Sequence, residues 1–295
     1  MRIAVIGANG QLGNDLMAAF SDSGDTVRGL THADIEIADL NSVSRALEDM
    51  RPDVITNTAA MHYVESCEHE PEKAFAVNAL GARNLAIASR DLSAVLMHVS
   101  TDYVFDGAKG GPYIEDDSPR PLNVYGITKL AGEHFIRSTT DKHFVVRTSG
   151  LYGKSLCRAK GGLNFIELML KLAKERGEVH VVDSEIVTPT STAELARQMV
   201  CLSRTDCYGL YHATAEGSCS WYEFAREIFK LTDTPVRLKA AAPGEFPNKV
   251  DRPKYSVLEN GALKARGSNI FKPWQDALRE YLGQRVKLSS AQICI

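Results

Sequence analysis

Short continuous apolar runs alternate with segments of helical periodicity through the first half of the chain. Ile3 to Ile6 reads as a buried strand and Leu12 to Phe20 as an amphipathic helix. Thr26 to Leu30 predicts a second strand, Val43 to Met50 a second helix and Val54 to Thr56 a third strand. Ala74 to Ser89 reads as helix, Ala94 to Val99 as strand, Tyr125 to Ser138 as helix and Phe144 to Arg147 as strand. Strands that are apolar at every position suit a parallel sheet covered on both faces. The alternation therefore predicts an α/β fold, a Rossmann-type doubly wound parallel sheet.

The pattern changes after Gly153. Lys154 to Gly162 is polar, basic and glycine-ended, as expected of an exposed loop, and a helix is expected from Phe165 to Arg176. Ser191-Thr192-Ala193-Glu194 and Ser220-Trp221-Tyr222-Glu223 both have capping-box spacing, opening helices toward Cys201 and Leu231. Ala240 to Pro253 reads as loop and Trp274 to Leu282 as a last helix. The expected division is a nucleotide-binding domain at 1–153, joined by roughly 178–205. A smaller C-terminal α/β substrate-binding region takes 154–177 and 206–295.

Composition narrows the classes. With 34 Lys and Arg against 37 Asp and Glu, the formal charge is −3, and no basic run interleaved with aromatics marks a nucleic-acid surface. The six cysteines (Cys67, Cys157, Cys201, Cys207, Cys219 and Cys294) lack zinc-type spacing and read as reduced thiols, so no metal is expected. The chain enters a strand at Arg2 without signal-peptide features, and no apolar run is long enough to span a membrane. The expectation is a cytoplasmic protein with no membrane and no nucleic-acid partner.

Gly7-Ala8-Asn9-Gly10-Gln11-Leu12-Gly13 lies between the first strand and the first helix. Glycines there allow a tight turn and let the backbone approach a pyrophosphate, while the helix N-terminus supplies N–H groups and a favourable dipole. Gly7, Asn9, Gly10, Gln11, Leu12 and Gly13 are thus candidate cofactor-binding residues. After the second strand come Leu30, Thr31 and His32, with Arg28 and Asp34 displaced, so the choice between NADPH and NADH stays open. Asp39 and Leu40 are candidate adenine contacts, with a helix-start aspartate as the alternative.

Tyr125 and Lys129 stand four residues apart at the start of a helix, on one face. A phenol titrates near 10, and a neighbouring ammonium together with a positive nicotinamide ring lowers that value. The tyrosine can then protonate a carbonyl oxygen while hydride reaches the carbon. Ser100 or Thr101, at the carboxyl end of the preceding strand, is placed to hydrogen-bond the same oxygen.

These motifs resemble the extended short-chain dehydrogenase/reductase superfamily, and within it the dTDP-4-dehydrorhamnose reductase family. The resemblance rests on GANGQLG, RPDVITNTAA, Val77-Asn78, STDYVFDG, PLNVYGITKLAGE, RTSGLYG, Asn164-Phe165, Pro189-Thr190, GLYHAT and RPKYSVL, in order along nearly the whole chain. It implies Tyr125 as acid, Lys129 as its modulator and ribose ligand, and Thr101 as the carbonyl-binding hydroxyl. It further implies that Ala59, Ala60, Asn78 and Ser100 belong to the cofactor side. His62, Asp102, Tyr103, Gly150, Asn164, Pro189 and Arg252 would lie on the substrate side. The implied reaction is NAD(P)H-dependent reduction at C4 of dTDP-4-dehydrorhamnose to dTDP-L-rhamnose, by a possible homodimer.

Departures cluster on the substrate side. Family members usually read RTSW where this chain has Arg147-Thr148-Ser149-Gly150, and the segment Asp183 to Thr190 departs from the usual DQ-x-G-x-PT. Lys154, Arg158 and Lys160 are diphosphate candidates in a solvated loop. Related dehydratases carry Asp-Glu after the catalytic threonine, and here Tyr103 follows Asp102, so the carbon base is missing. A reductase or epimerase of another nucleotide-linked 4-keto sugar is one alternative. The other is a non-catalytic regulatory subunit like methionine adenosyltransferase β.

Overall fold

A computed structural model describes residues 1–156, 162–242, 244–246 and 250–291. The first half comprises β1 (Arg2–Ile6), α1 (Gln11–Asp22), β2 (Thr26–Leu30), α2 (Leu40–Glu48), β3 (Val54–Asn57), α3 (Val64–His69) and α4 (Pro71–Phe75). A π-helical turn (Ala76–Leu80), α5 (Gly81–Asp91), β4 (Val95–Thr101), a 3₁₀ turn (Asp102–Val104), α6 (Val124–Thr139) and β5 (His143–Thr148) complete it. Next come β6 (Leu151–Tyr152), α7 (Phe165–Glu175), β7 (Glu178–Val181), β8 (Ile186–Val187), β9 (Thr190–Ser191) and α8 (Thr192–Ser203). The last elements are β10 (Gly209–His212), β11 (Cys219–Ser220), α9 (Trp221–Leu231), β12 (Arg237–Ala240), α10 (Gly261–Ala265) and α11 (Trp274–Ala291).

The main sheet is six-stranded in the order β2-β1-β3-β4-β5-β10, parallel throughout. The chain leaves β1 for β2 on one side, then crosses to β3 on the other. This reversal opens a crevice beyond the carboxyl ends of β1 and β3, where ligands of such sheets bind. Successive residues of β1 serve opposite faces. Ile3 and Val5 pack with Leu16 and Phe20 of α1 and Leu195 and Met199 of α8. Ala4 and Ile6 pack with Val43 and Leu47 of α2, Leu85 of α5 and Ile136 of α6. Both faces are thus covered, as the uninterrupted apolar strands require.

A separate core joins Ile166 and Leu170 of α7, Phe224 and Ile228 of α9, and Trp274 and Leu278 of α11. The strand pairing redraws the expected division of the chain. Gly209–His212, expected in the substrate region, extends the main sheet beside β5. Glu178–Val181, expected with the nucleotide-binding domain, instead pairs with β12 in a two-stranded sheet. The expected helix 74–89 is interrupted by the π-helical turn between α4 and α5. Cys157, Arg158, Lys160 and Cys294 lie outside the described residues; the other four cysteines are free thiols.

The two expected capping boxes differ. Ser220 accepts from the Glu223 N–H at 3.0 Å, and Glu223 returns a bond to the Ser220 N–H at 3.0 Å, a complete box. Ser191 makes no cap bond, and neither carboxylate oxygen of Glu194 has a hydrogen-bond partner among the described residues. Correct spacing therefore failed at α8, where Ser191 is engaged as the end of β9. Ser220→Ala should cost about 1 kcal/mol in urea unfolding. Ser191→Ala, losing no cap, should cost clearly less.

Candidate active site

The glycine loop emerges from β1 into the crevice. Gly7 sits at φ 79°, and a Cβ there would meet Thr58 Oγ1 at 2.7 Å and the Ala59 nitrogen at 3.0 Å. A Cβ on Gly13 would lie 2.2 Å from the Gly7 carbonyl oxygen, so only glycine lets α1 start this close to the loop. Gly10 is the N-cap of α1 and has no side chain to cap it, and the first turn carries no acidic residue. The result is a bare helix N-terminus under a backbone cradle, which fits a dinucleotide pyrophosphate. Gln11 turns its Oε1 to accept the Gly153 N–H at 2.8 Å, tying the cradle to the segment after β6.

The expected catalytic residues converge at the carboxyl end of β4. Asn123 caps α6 by accepting the Gly126 N–H at 2.9 Å, so the helix begins with Tyr125 in its first turn and Lys129 one turn on. Thr101 ends β4 with its hydroxyl beside the Tyr125 phenol. Burial pushes that phenol well above its ordinary value; Thr101 pulls it down and the Asp102 charge adds to the rise. Tyr125 therefore holds its proton in the cofactor-free protein. The Tyr103 ring meets it edge-on, centroids 5.8 Å apart.

Lys129 is buried behind Tyr125. Its Nζ donates to the Val99 carbonyl at 2.6 Å and lies 3.0 Å from His98 Nε2. Burial lowers its ammonium to about 8, with Glu133 opposing. One turn further along α6, Glu133 takes Arg147 Nε at 3.0 Å and Nη2 at 2.7 Å, in an ion pair only 2–3% exposed. Arg147 thus serves the fold. Ser100 donates to the same carboxylate in a very short bond. Side chains alternate along β4, so Ser100 points to Glu133 while Thr101 faces Tyr125. The hydroxyl proton of Ser100 is thus directed at Glu133.

Other expected contacts are also occupied. Asn78 accepts from Met61 N at 2.8 Å and donates to Met61 O at 2.9 Å and Thr128 Oγ1 at 3.0 Å. It ties Met61, the residue after Ala60, to Thr128 of α6. Asp39 caps α2 by accepting the Asn41 N–H at 2.9 Å, which favours the helix-start reading; Leu40 begins the helix beside it. Asp34 is taken up by the Thr31 N–H and hydroxyl, both at 2.8 Å.

On the substrate side, Asp102 is buried and accepts from Ser149 at 2.8 Å and Thr101 at 3.1 Å; burial raises its carboxyl above the ordinary range. Arg252 is in a short ion pair with Glu65, and His62 is exposed in the loop before α3. Asn164 also has structural partners. It caps α7 by accepting the Glu167 N–H at 3.0 Å, and donates to Gly153 O at 2.8 Å and Tyr281 Oη at 3.1 Å. These bonds take both of its amide protons and one lone pair of Oδ1. The pattern Asn164-Phe165-Ile166-Glu167 carried that N-cap signal in the sequence.

Gly150 does not simply open a wall. It sits at φ 57°, and a Cβ would meet the Thr188 carbonyl at 2.9 Å and Pro189 Cα at 3.0 Å. Gly150→Trp should therefore destabilise the protein by about 1–2 kcal/mol, read by thermal unfolding, without rebuilding an aromatic wall. Sequence reading also missed Asn57 and His98. They are register partners on β3 and β4, which was the available signal once the sheet order was known.

Comparison with known proteins agrees with this arrangement. A family model described as RmlD substrate binding domain matches residues 1–286. The Bacillus subtilis spore coat polysaccharide biosynthesis protein SpsK is 40% identical, over 96% of this chain and 98% of its own. A Streptomyces griseus dTDP-4-dehydrorhamnose reductase is 38% identical, over 95% of this chain and 92% of its own. A Streptomyces niveus dTDP-4-keto-6-deoxy-D-glucose reductase is also 38% identical, over 95% and 96%. The solved Bacillus anthracis dTDP-4-dehydrorhamnose reductase in complex with NADP superposes with a TM-score of 0.91. It is 37% identical, covering 96% of this chain and 99% of that one. The chain belongs to the RmlD substrate binding domain family and, within the extended short-chain dehydrogenases/reductases, to that of the dTDP-4-dehydrorhamnose reductases.

Proposed function

We propose that this protein reduces the C4 ketone of dTDP-4-dehydrorhamnose to give dTDP-L-rhamnose, with NADPH or NADH as reductant and Tyr125 as proton donor. The observation that carries this reading is the Thr101–Tyr125 hydroxyl pair at the carboxyl end of β4, with Lys129 buried behind it. The nicotinamide cofactor, when bound, supplies the hydride. Gly7, Gly10, Gln11, Leu12 and Gly13 would hold its phosphates, and Ala59 and Ala60 would pack along it. Thr101 orients the substrate carbonyl, and Tyr125 delivers the proton to its oxygen. Asp102 and Tyr103 flank that position. Tyr103, standing where a carbon base would be needed for dehydration, offers a phenol that burial holds far above neutral.

The test is oxidation of NADPH, then of NADH, by purified protein supplied with dTDP-4-dehydrorhamnose, with mass spectrometry of the product. A second reading, reduction of a different dTDP-linked 4-keto sugar, is favoured by the equal 38% identity to the S. niveus reductase. It would be taken up if dTDP-4-keto-6-deoxy-D-glucose were turned over in place of the rhamnose precursor. Cofactor binding with neither ketone reduced would point to the regulatory alternative.

A further inference from the structure

Four groups on two strands, the loop after β3 and one helix form a continuous hydrogen-bonded chain behind the active site. The Ala59 N–H donates to Asn57 Oδ1 at 3.1 Å. Asn57 Nδ2 lies 3.0 Å from His98 Nδ1. His98 Nε2 lies 3.0 Å from Lys129 Nζ, and Nζ donates to the Val99 carbonyl at 2.6 Å. Asn57, His98 and Lys129 are at most 2% exposed.

The directions of the protons follow from the first bond. A backbone N–H can only donate, so the Asn57 atom facing Ala59 is the oxygen and the atom facing His98 is the amide nitrogen. An amide nitrogen only donates, so His98 Nδ1 must accept. Burial by itself, the larger cause, holds the imidazole well below its ordinary value, so it is neutral. Its one proton is then on Nε2, directed at Lys129. An ammonium has no lone pair to receive it, whereas an amine has one and keeps an N–H for Val99.

We propose that Asn57 and His98 are positioning residues that hold Lys129 as a neutral amine in the cofactor-free protein, by fixing the direction of each proton between them. To take up a proton, Lys129 must make the chain reverse. His98 would move its proton to Nδ1, and the Asn57 amide would turn over, setting its nitrogen against the Ala59 N–H. The charge on Lys129 is thereby coupled to the Ala59–Ala60 segment, which the proposed function places along the cofactor. The consequence for turnover rests on that reading; the proton arrangement itself does not.

The other charged and titratable groups around this centre are few. Glu133 favours the ammonium, but both its oxygens are engaged by Arg147 of β5. Asp102, after β4, and Cys67 of α3 act on Tyr125, whose phenol is protonated. Asn57 and His98 are thus left to set the balance at Lys129.

The test is NMR of cofactor-free protein labelled at the histidine ring nitrogens and lysine side chains. His98→Gln and Lys129→Arg would assign the signals. Wherever Lys129 is the amine, the proton is expected on His98 Nε2 with Nδ1 bare, and it should pass to Nδ1 as Lys129 gains its proton. Lys129 should lose its ammonium proton at or below about 8. Asn57→Asp replaces the donating amide by an accepting oxygen of the same shape. It should move the ring proton to Nδ1 and raise the proton affinity of Lys129 at least tenfold. A wild-type ring still protonated on Nδ1 above the Lys129 transition, Lys129 titrating near the ordinary 10.4, or a folded Asn57→Asp protein with an unchanged tautomer would each overturn the proposal. If Asn57→Asp does not fold, the two wild-type readings decide. Failure of the reductase reading would appear only in the ketone assay, leaving these signals as they are.

Discussion

Tyr125→Phe is expected to lower kcat by about 10²- to 10⁴-fold, the usual share of a positioned general acid, while leaving dinucleotide affinity nearly unchanged. The change removes one oxygen and keeps the ring, so the edge contact with Tyr103 and the start of α6 remain. The structure holds the phenol in its protonated form, and that proton is what a carbonyl oxygen needs as hydride arrives. In the proposed reaction Thr101 would orient the same oxygen without supplying the proton, so Thr101→Val should lose less. Stopped-flow measurement of nicotinamide oxidation, with cofactor affinity read separately by fluorescence, distinguishes the two. A Tyr125→Phe enzyme within threefold of wild type would remove Tyr125 from the chemistry.

The second large effect concerns stability. Arg147→Met should destabilise the protein by about 3–5 kcal/mol, because it strands the Glu133 carboxylate in the interior. The pair joins α6 to β5 beneath the catalytic helix, and the guanidinium lies over the Phe105 ring, 5.2 Å from its centroid. The double variant Arg147→Met with Glu133→Leu removes both charges and should recover much of the loss. Chemical unfolding of the three proteins measures this. A single variant costing under 1 kcal/mol would mean that water reaches the pair. The geometry behind Lys129 would then need another support.

Much of the fold was legible in the sequence because its strands are apolar at every position and its turns carry glycine at fixed places. The cradle at Gly7–Gly13 and the Tyr125–Lys129 spacing are local signals, and both sit where they were expected. What was not legible depended on distant partners. β10 and β7 are four residues each, too short for periodicity to assign them to a sheet. His98 looks like any packed strand residue until β3 is laid beside β4 and Asn57 becomes its neighbour. Asn164 and Ser191 show a cap signal met and one unmet. Asn164, read as a ligand contact, is also the helix start that its local motif announced. At Ser191 the capping-box spacing was present without the bonds.

The bond from Gly153 to Gln11 bears on how new specificities arise in this architecture. Gly153 gives its N–H to the phosphate cradle and its carbonyl to Asn164, which in turn reaches Tyr281 of α11. One polar thread thus crosses from the start of α1 to the last helix. A chimera that grafts the segment from α7 onward out of a relative inherits a requirement along with its substrate preference. The donor must bring a residue that can answer the Gly153 carbonyl, or the graft will slacken the nucleotide cradle more than a hundred residues upstream in the chain. A working chimera of this kind should therefore keep Asn164 and Tyr281 together.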